Sequence, residues 1–151
     1  MRRLKKMGVI LLIGLVLLQF VRPSRNRSKS KLPTDITNAV SIPANVQHII
    51  SVACSDCHSN NTHYPWYAQI QPVGWLLASH IREGKAELNF SEFGAYSKRR
   101  QISKLSSIAN SLKDGTMPLD SYKWLHRGAR LTEKEKMVII NWANDTKDSI
   151  Q

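Results

Sequence analysis

The two cysteines of the chain lie three residues apart and are followed at once by a histidine, in the stretch Cys54-Ser55-Asp56-Cys57-His58. Thiols at this spacing lie about one helical turn apart, so both can add across the two vinyl groups of one porphyrin. The imidazole that follows is then delivered to the iron as an axial ligand. The motif therefore predicts covalent attachment of haem through Cys54 and Cys57, with His58 as the proximal ligand.

Three other uses of a C-x-x-C pair compete with haem attachment. A thioredoxin-like redox disulfide is typical of a strand–helix–strand pattern, and no such alternation is visible in this sequence. A structural zinc site needs four protein ligands, whereas the chain has only two cysteines and its five histidines are scattered. A plain structural disulfide across so short a loop adds little stability. Haem is the favoured interpretation, with zinc and a disulfide as the alternatives.

A methionine in the second half of the chain is the first candidate for the other side of the iron. Met117 lies in a Met-Pro step, in a loop that follows Gly115 at the end of a predicted helix. A thioether presented from such a loop is a soft ligand that raises the redox potential. His80, on the apolar face of another predicted helix, is the alternative ligand, and Met117 is then a core filler. Two aromatic residues after the motif are predicted to contact the haem or to fill the core beside it: Trp66 and Tyr67.

The basic excess of the chain lies at its N-terminal end. A formal charge of +11 would suit a nucleic-acid-binding protein if it were spread over a folded domain. Residues 1–31, however, carry nine Lys/Arg and no acidic residue, and residues 32–151 carry thirteen Lys/Arg against eleven Asp/Glu, which leaves +2. Nucleic acid is therefore not indicated as a partner.

The N-terminal residues have the composition of an export signal. Residues 1–6 are basic, and an apolar run from Met7 to Val21 follows, closer in length to a signal-peptide core than to a full membrane span. Because no small-x-small cleavage site follows, residues 1–21 are predicted to form an uncleaved signal-anchor, a single membrane helix. Residues 22–43, rich in Ser, Arg, Lys and Pro, are predicted to form a flexible basic tether. Residues 44–151 are predicted to form the folded haem-binding domain.

Helical periodicity accounts for that domain. Apolar residues recur at helical spacing after Pro43, after Pro72, after Lys98 and after Thr132. The last of these positions opens a capping box, a strong signal for the start of a helix. No strand pattern of useful length appears. The fold is predicted to be all-α, with four to five helices around one covalently attached haem.

Several segments of the sequence resemble those of known haem proteins. A C-x-x-C-H on a first helix, a late Met-Pro loop and a terminal helix with a large aromatic residue resemble class I cytochrome c. The segments CSDCHSNNTHYPWY, ASHIREGKAELNF, SKRRQ, GTMPL and INWA are similar to the family of small exported single-haem proteins called haem-binding domain. The resemblance covers roughly residues 40–145. It implies a cytochrome c-like fold with a single covalent haem c, attached at Cys54 and Cys57, with His58 as proximal ligand and Met117 at the Met-Pro position.

The resemblance also carries expectations about location and activity. Haem attachment in c-type proteins takes place outside the cytoplasmic membrane, so the haem domain is expected on the extracytoplasmic (periplasmic) side, held to the membrane by residues 1–21. A haem with both axial positions filled predicts transfer of single electrons between redox proteins rather than catalysis, because no acid–base set accompanies the motif. Two alternatives remain. One is a haem enzyme or sensor with an exchangeable distal site, peroxidase-like or gas-binding, and the other is a binding module in which haem is structural.

Overall fold

The computed structural model describes residues 2–28 and 30–150, and this part of the chain is helical. Its α-helices, in chain order, are α1 (Arg2–Leu18), α2 (Ile36–Ala39), α3 (Ala44–Ala53), α4 (Ser55–His58), α5 (Val73–Glu87), α6 (Lys98–Lys113), α7 (Asp120–Leu125) and α8 (Glu133–Ile150). Three short 3₁₀ segments lie between them: Trp66–Gln69, Phe90–Ala95 and Arg127–Ala129. The β-structure of these residues is limited to one isolated bridge, between Arg27 and Asn61. The predicted all-α class is therefore confirmed for the described residues.

The predicted N-terminal membrane helix is wrong. Within residues 2–28 and 30–150, no helix has both the length and the apolar character that a membrane span requires. Helix α1 has 17 residues, and its apolar part runs only from Met7 to Leu18, a length of about 18 Å at the rise of an α-helix. The hydrocarbon core of a bilayer is about 30 Å thick. Beyond Leu18 the chain makes contacts with the domain, since the Gln19 amide accepts from the Gln71 N–H at 2.9 Å and donates to its carbonyl at 3.2 Å.

The structure has more helices than the four to five that the sequence pattern predicted, because two of them are single turns. Helices α2 and α4 have four residues each, which is too short for an apolar periodicity to develop. The helix predicted after Pro43 ends at Cys54, whose φ is −128° and ψ −40°. Cys57 and His58 therefore lie on the separate turn α4.

Local sequence signals define the ends of the longer helices, as predicted. Helix α5 begins directly after Pro72. Helix α6 ends just before Gly115, which has a φ of +69°, a conformation that favours glycine. At the start of α8, Thr132 Oγ1 accepts from the Glu135 N–H at 3.3 Å and the Glu135 carboxylate accepts from the Thr132 N–H at 2.8 Å. This reciprocal pair is the predicted capping box.

Two hydrophobic clusters build the domain, and the motif lies between them. The larger cluster forms where α6 packs along α8 and α3 contacts α8; its most buried large side chains are Val46, Phe93, Leu105 and Ile139. The smaller cluster, between α5 and the Trp66–Gln69 segment, consists of Ala68, Leu77 and Ile81. Cys54 packs against the larger cluster and Cys57 against the smaller one. The C-x-x-C pair thus spans the seam between the two clusters.

Candidate functional site

Helix α5 lies directly against the motif at Gly84. A Cβ atom at this position would lie 2.8 Å from the carbonyl oxygen of Cys57 and 3.2 Å from its Cβ. Because glycine has no side chain, α5 can approach the backbone of α4 this closely. This role of Gly84 becomes visible only from the packing of the two helices.

The imidazole of His58 is oriented by a backbone carbonyl. Its Nδ1 lies 3.0 Å from the carbonyl oxygen of Leu88, and because a carbonyl can only accept, Nδ1 carries the proton. The lone pair then belongs to Nε2, which is the tautomer that a metal-ligating histidine needs. Burial lowers the pKa of His58, although its hydrogen bonds to the carbonyls of Leu88 and Gly84 act in the opposite direction. The ring is therefore neutral, with one nitrogen available for coordination.

Burial keeps both cysteines in the thiol form. It raises the pKa of Cys54 to about 12, with the neighbouring Cys57 adding to the effect, and the pKa of Cys57 to about 11, with the Asp56 carboxylate adding to it. Redox-active and metal-binding cysteines work as thiolates. Within residues 2–28 and 30–150, no group of three or more His, Cys, Asp or Glu side chains is arranged to hold a metal ion. The surroundings of the pair thus favour the neutral thiols over the thiolates.

Two cavities meet at the motif. The first, of about 320 Å³, is lined mainly by the motif, α5 and α7, and the second, of about 200 Å³, mainly by α3, α6 and the motif. Six residues line both cavities: Ala53, Cys54, His58, Glu87, Met117 and Pro118. A haem is a flat, largely apolar ligand, and its iron is bound by an imidazole and a thioether in cytochromes c. The shared walls supply a cysteine thiol, a neutral imidazole and a thioether around mostly apolar space, and this donor set fits haem.

Met117 reaches these walls from the loop between α6 and α7. The residue is half-buried, and its N–H donates to the carbonyl of Ser111, at the end of α6, at 3.2 Å. The structure thus brings Met117 and His58 to the same two cavities. That both bind one iron stays a prediction.

Of the other site residues predicted from the sequence, two line a cavity and one does not. Tyr67 and the alternative ligand His80 both line the first cavity. Trp66 is 75 % exposed and lines neither of the two cavities. Its indole packs edge-on against the Tyr67 ring, with the ring centroids 5.9 Å apart. Aromatic character alone does not indicate which face of a short 3₁₀ segment turns inward, and this explains the difference between the two neighbours.

Sequence reasoning missed a polar cluster beside the motif. The Tyr122 hydroxyl donates to Oδ2 of Asp56 at 2.8 Å, and the ring of His126 stacks on Tyr122 with the centroids 3.9 Å apart. The Tyr67 hydroxyl lies 3.2 Å from Nε2 of His126. Burial, and then the bond to Asp56, raises the pKa of Tyr122, so that the hydroxyl remains a donor. Tyr122 lies 66 residues from Asp56 and His126 lies 59 residues from Tyr67, and no spacing in the sequence connects the two halves of the cluster.

A lysine at the second cavity was also missed. Lys104 lines this cavity, its side chain is only 19 % exposed, and its Nζ lies 3.4 Å from the carboxylate of Glu87. An ammonium group in this position suits a ligand that carries carboxylates, as haem does. The basic cluster at the start of α6, Lys98-Arg99-Arg100, is by contrast exposed.

The comparisons with known proteins point to the same cofactor. A family model described as haem-binding domain matches residues 13–145. This range contains the motif, both cavities' shared residues and the loop that carries Met117. Neither the curated proteins nor the solved structures contain a match to the chain. The family model covers well over half of the sequence, and the chain therefore belongs to the haem-binding domain family.

Proposed function

We propose that this protein is a single-haem c-type electron carrier, with the haem attached covalently to Cys54 and Cys57 and its iron bound by His58 and Met117. One observation carries the proposal: Cys54, His58 and Met117 line the same two apolar cavities. Family membership supports haem as the ligand. When bound, haem supplies an iron centre that exchanges single electrons.

The residues of the site have separate tasks in this proposal. Leu88 holds the proton on Nδ1 of His58, which keeps Nε2 free as a ligand without any rearrangement. Met117 would supply a second ligand to the iron, a thioether, which as a soft donor favours the ferrous state. The ammonium group of Lys104, which contacts Glu87 in this structure, would pair with a haem carboxylate. With both positions filled, the protein is a carrier and not a catalyst.

Covalent attachment also has a consequence for location. Because c-type haem attachment takes place outside the cytoplasmic membrane in the proteins that this chain resembles, the domain works on the extracytoplasmic, periplasmic side. Its partners there are other redox proteins. Fractionation of cells followed by haem staining tests this location, and a stained band confined to the cytoplasm would contradict it.

Haem staining after denaturing electrophoresis tests the attachment. The purified wild-type protein should stain, and the double variant Cys54→Ser/Cys57→Ser should not, because no thioether can form. Ser55→Ala is the matched control, since it changes the same motif and leaves both thiols in place. A colourless wild-type protein, or a double variant that still stains, would sink the proposal.

Absorption spectra test the ligands. The protein should show a sharp low-spin ferrous α-band and a weak ferric band near the red edge, and Met117→Ala should abolish the second band. Met137→Ala is the control, because Met137 is an exposed methionine on α8. If the weak band survives in Met117→Ala, another residue is the sixth ligand.

A haem enzyme or sensor with an exchangeable distal site is the second candidate. The observation that favours it is the polar part of the first cavity, where Tyr67, His80 and Tyr122 line the wall. Such a protein would have a high-spin ferric spectrum that shifts when cyanide or peroxide is added. A low-spin spectrum that is insensitive to both would exclude this candidate.

A further inference from the structure

The residues that follow α1 lie along the loop behind the motif. The indole Nε1 of Trp75 donates to the carbonyl of Val21 at 2.8 Å, and Arg27 pairs with Asn61 in the isolated β-bridge. The sequence predicted a flexible tether from residue 22 onwards. Residues 19–27, called the strap below, instead make hydrogen bonds to the domain at both ends.

Every polar group of Asn26, a residue of the strap, forms a hydrogen bond to a residue outside the strap. Its Nδ2 donates to the carbonyl of Ser59 at 2.7 Å and to Oγ1 of Thr62 at 2.9 Å. Its N–H donates to the hydroxyl of Tyr64 at 2.7 Å, and its carbonyl accepts from the Thr62 N–H at 3.0 Å. Its Oδ1 accepts from Nζ of Lys85 at 2.7 Å. A surface asparagine in a mobile tether would bond to water instead.

The partners of Asn26 adjoin the residues of the proposed haem site. Ser59 directly follows His58, and Thr62 is buried and donates through Oγ1 to the carbonyl of Asp56, inside the motif, at 2.6 Å. Lys85 directly follows Gly84, the residue at which α5 meets Cys57. Asn26 therefore connects the loop that follows His58 with helix α5, and it is linked to the backbone of the motif through Thr62.

The extent of the family match supports the same conclusion independently. The match begins at residue 13, which is upstream of the strap. The sequence motifs alone indicated a resemblance only from about residue 40. A family model that includes these residues fits a segment that belongs to the domain.

We infer that the strap is part of the haem-binding domain and that Asn26 is a positioning residue, which fixes the loop behind His58 from the outside. Loss of the Asn26 amide frees Ser59 and Thr62 from the strap, so that the segment next to His58 gains motion. The consequence for bound haem rests on the proposed function. The consequence for the loop does not, because it follows from the hydrogen bonds alone.

Hydrogen exchange on the full-length purified protein measures the loop directly. In Asn26→Ala the amides of residues 60–64 should exchange about tenfold faster, because the side-chain bonds that fix Ser59 and Thr62 are lost, while those of α8 remain unchanged. Asn38→Ala is the matched control, since the Asn38 amide also donates to two backbone carbonyls, those of Leu32 and Pro33, at 3.4 and 3.2 Å. Equal protection of residues 60–64 in the two variants would overturn the inference.

A conservative replacement separates positioning from simple space filling. The side chain of Asn26→Asp keeps an oxygen for Lys85 but has no N–H for Ser59. The amides of residues 60–64 should therefore exchange as fast in this variant as in Asn26→Ala. In the haem-loaded protein, both variants should shift the ferric spectrum at temperatures where the far-ultraviolet circular dichroism is unchanged. If Asn26→Asp behaves as the wild type in both measurements, the inference fails.

The two proposals can fail separately. If Asn26→Ala accelerates exchange but the protein never stains for haem, the inference about the strap stands and the proposed electron carrier is excluded. If the protein stains for haem but exchange is unchanged in Asn26→Ala, attachment of haem stands and the inference about the strap fails. Should Asn26→Ala not fold, Tyr64→Phe removes one bond to Asn26 and leaves its other bonds in place, and it should accelerate exchange in the same loop to a smaller extent.

Discussion

The loop behind His58 and the loop that carries Met117 are held in different ways. In the first loop, the N–H of Asn60 donates to Oγ of Ser91 at 3.1 Å, and its Oδ1 accepts from the amide of Asn89 at 2.9 Å. On its other side, the N–H of Thr62 donates to the strap. These partners are 29 or more residues away in the chain, so the first loop is held by the fold as a whole.

The second loop is bonded to the helix from which it emerges. The Met117 N–H and the Thr116 hydroxyl both donate to the carbonyl of Ser111, each at 3.2 Å. Contacts that close only a short local segment can open without unfolding the rest of the molecule. The His58 side of the site is therefore held by remote contacts, and the Met117 side is the one expected to open first.

The largest expected effect comes from the packing behind the first loop. Gly84→Ala would place a methyl group 2.8 Å from the Cys57 carbonyl oxygen, and because the obstacle is backbone it cannot rotate away. We expect the free energy of unfolding to fall by about 3 kcal/mol. Urea denaturation measures this loss as a lower midpoint concentration of urea, with the dependence of the free energy on urea unchanged. Gly128→Ala, with nothing within 4 Å of the added carbon, is the control, and equal midpoints for the two variants would refute the close approach.

The next effect concerns the polar bonds of the first loop. Asn89 is 3 % exposed, and its side chain accepts from the Ser91 N–H at 3.1 Å as well as donating to Asn60. Asn89→Ala leaves buried partners unsatisfied and should cost about 2 kcal/mol. The same change at the exposed Asn45 on α3 is the control. A cost for Asn89→Ala no greater than that of the control would mean that the loop does not depend on remote bonds.

A smaller effect is expected where the two sides of the site are connected. Helix α7 follows the Met117 loop, and Tyr122 on this helix bonds to the Asp56 carboxylate in the motif at 2.8 Å. Tyr122→Phe should cost about 1.5 kcal/mol, since the lost bond is to a charged group. It should also speed hydrogen exchange at Met117 more than at Thr62. If exchange accelerates more at Thr62 than at Met117, the loop behind His58 is the less firmly held of the two.

The smallest effect is expected within the second loop itself. Thr116 is exposed, and its hydroxyl bonds only locally, to Ser111. Thr116→Ala should change the free energy of unfolding by no more than about 0.5 kcal/mol, as is usual for surface positions. Thermal unfolding of Thr116→Ala, Asn89→Ala and the wild type in parallel measures these changes in stability. A loss as large as that of Asn89→Ala would show that the Met117 loop is held as firmly as the other.

Much of the site could be predicted because its signals are local. The C-x-x-C-H spacing, the Met-Pro step and the helix ends at Pro72 and Gly115 each depend on neighbouring residues, and the structure agrees with those helix ends. The length of α1 could not be predicted in the same way. Apolar composition continues to Val21, but the helix stops at Leu18, where contacts with the domain begin.

Residues whose role depends on remote partners were invisible in the sequence. Asn26 looked like one more polar residue of a tether, and Tyr122 like one more aromatic residue of a short helix. Their partners lie 33 or more residues away. Trp66 and Tyr67 are adjacent and similar in chemistry, yet only Tyr67 lines a cavity, because the orientation of a 3₁₀ turn is decided by what packs against it.

The sequence by itself determined the helical class and the placement of a methionine in a loop, since both follow from local spacing along the chain, and the same spacing predicts the haem chemistry of Cys54, Cys57 and His58. Only the tertiary structure decided that Cys54 and Cys57 pack against different clusters, that Met117 shares two cavities with His58, and that the strap is bound to the domain. The physical reason is that burial and hydrogen bonding between distant residues depend on how helices pack, and packing is a property of the whole chain.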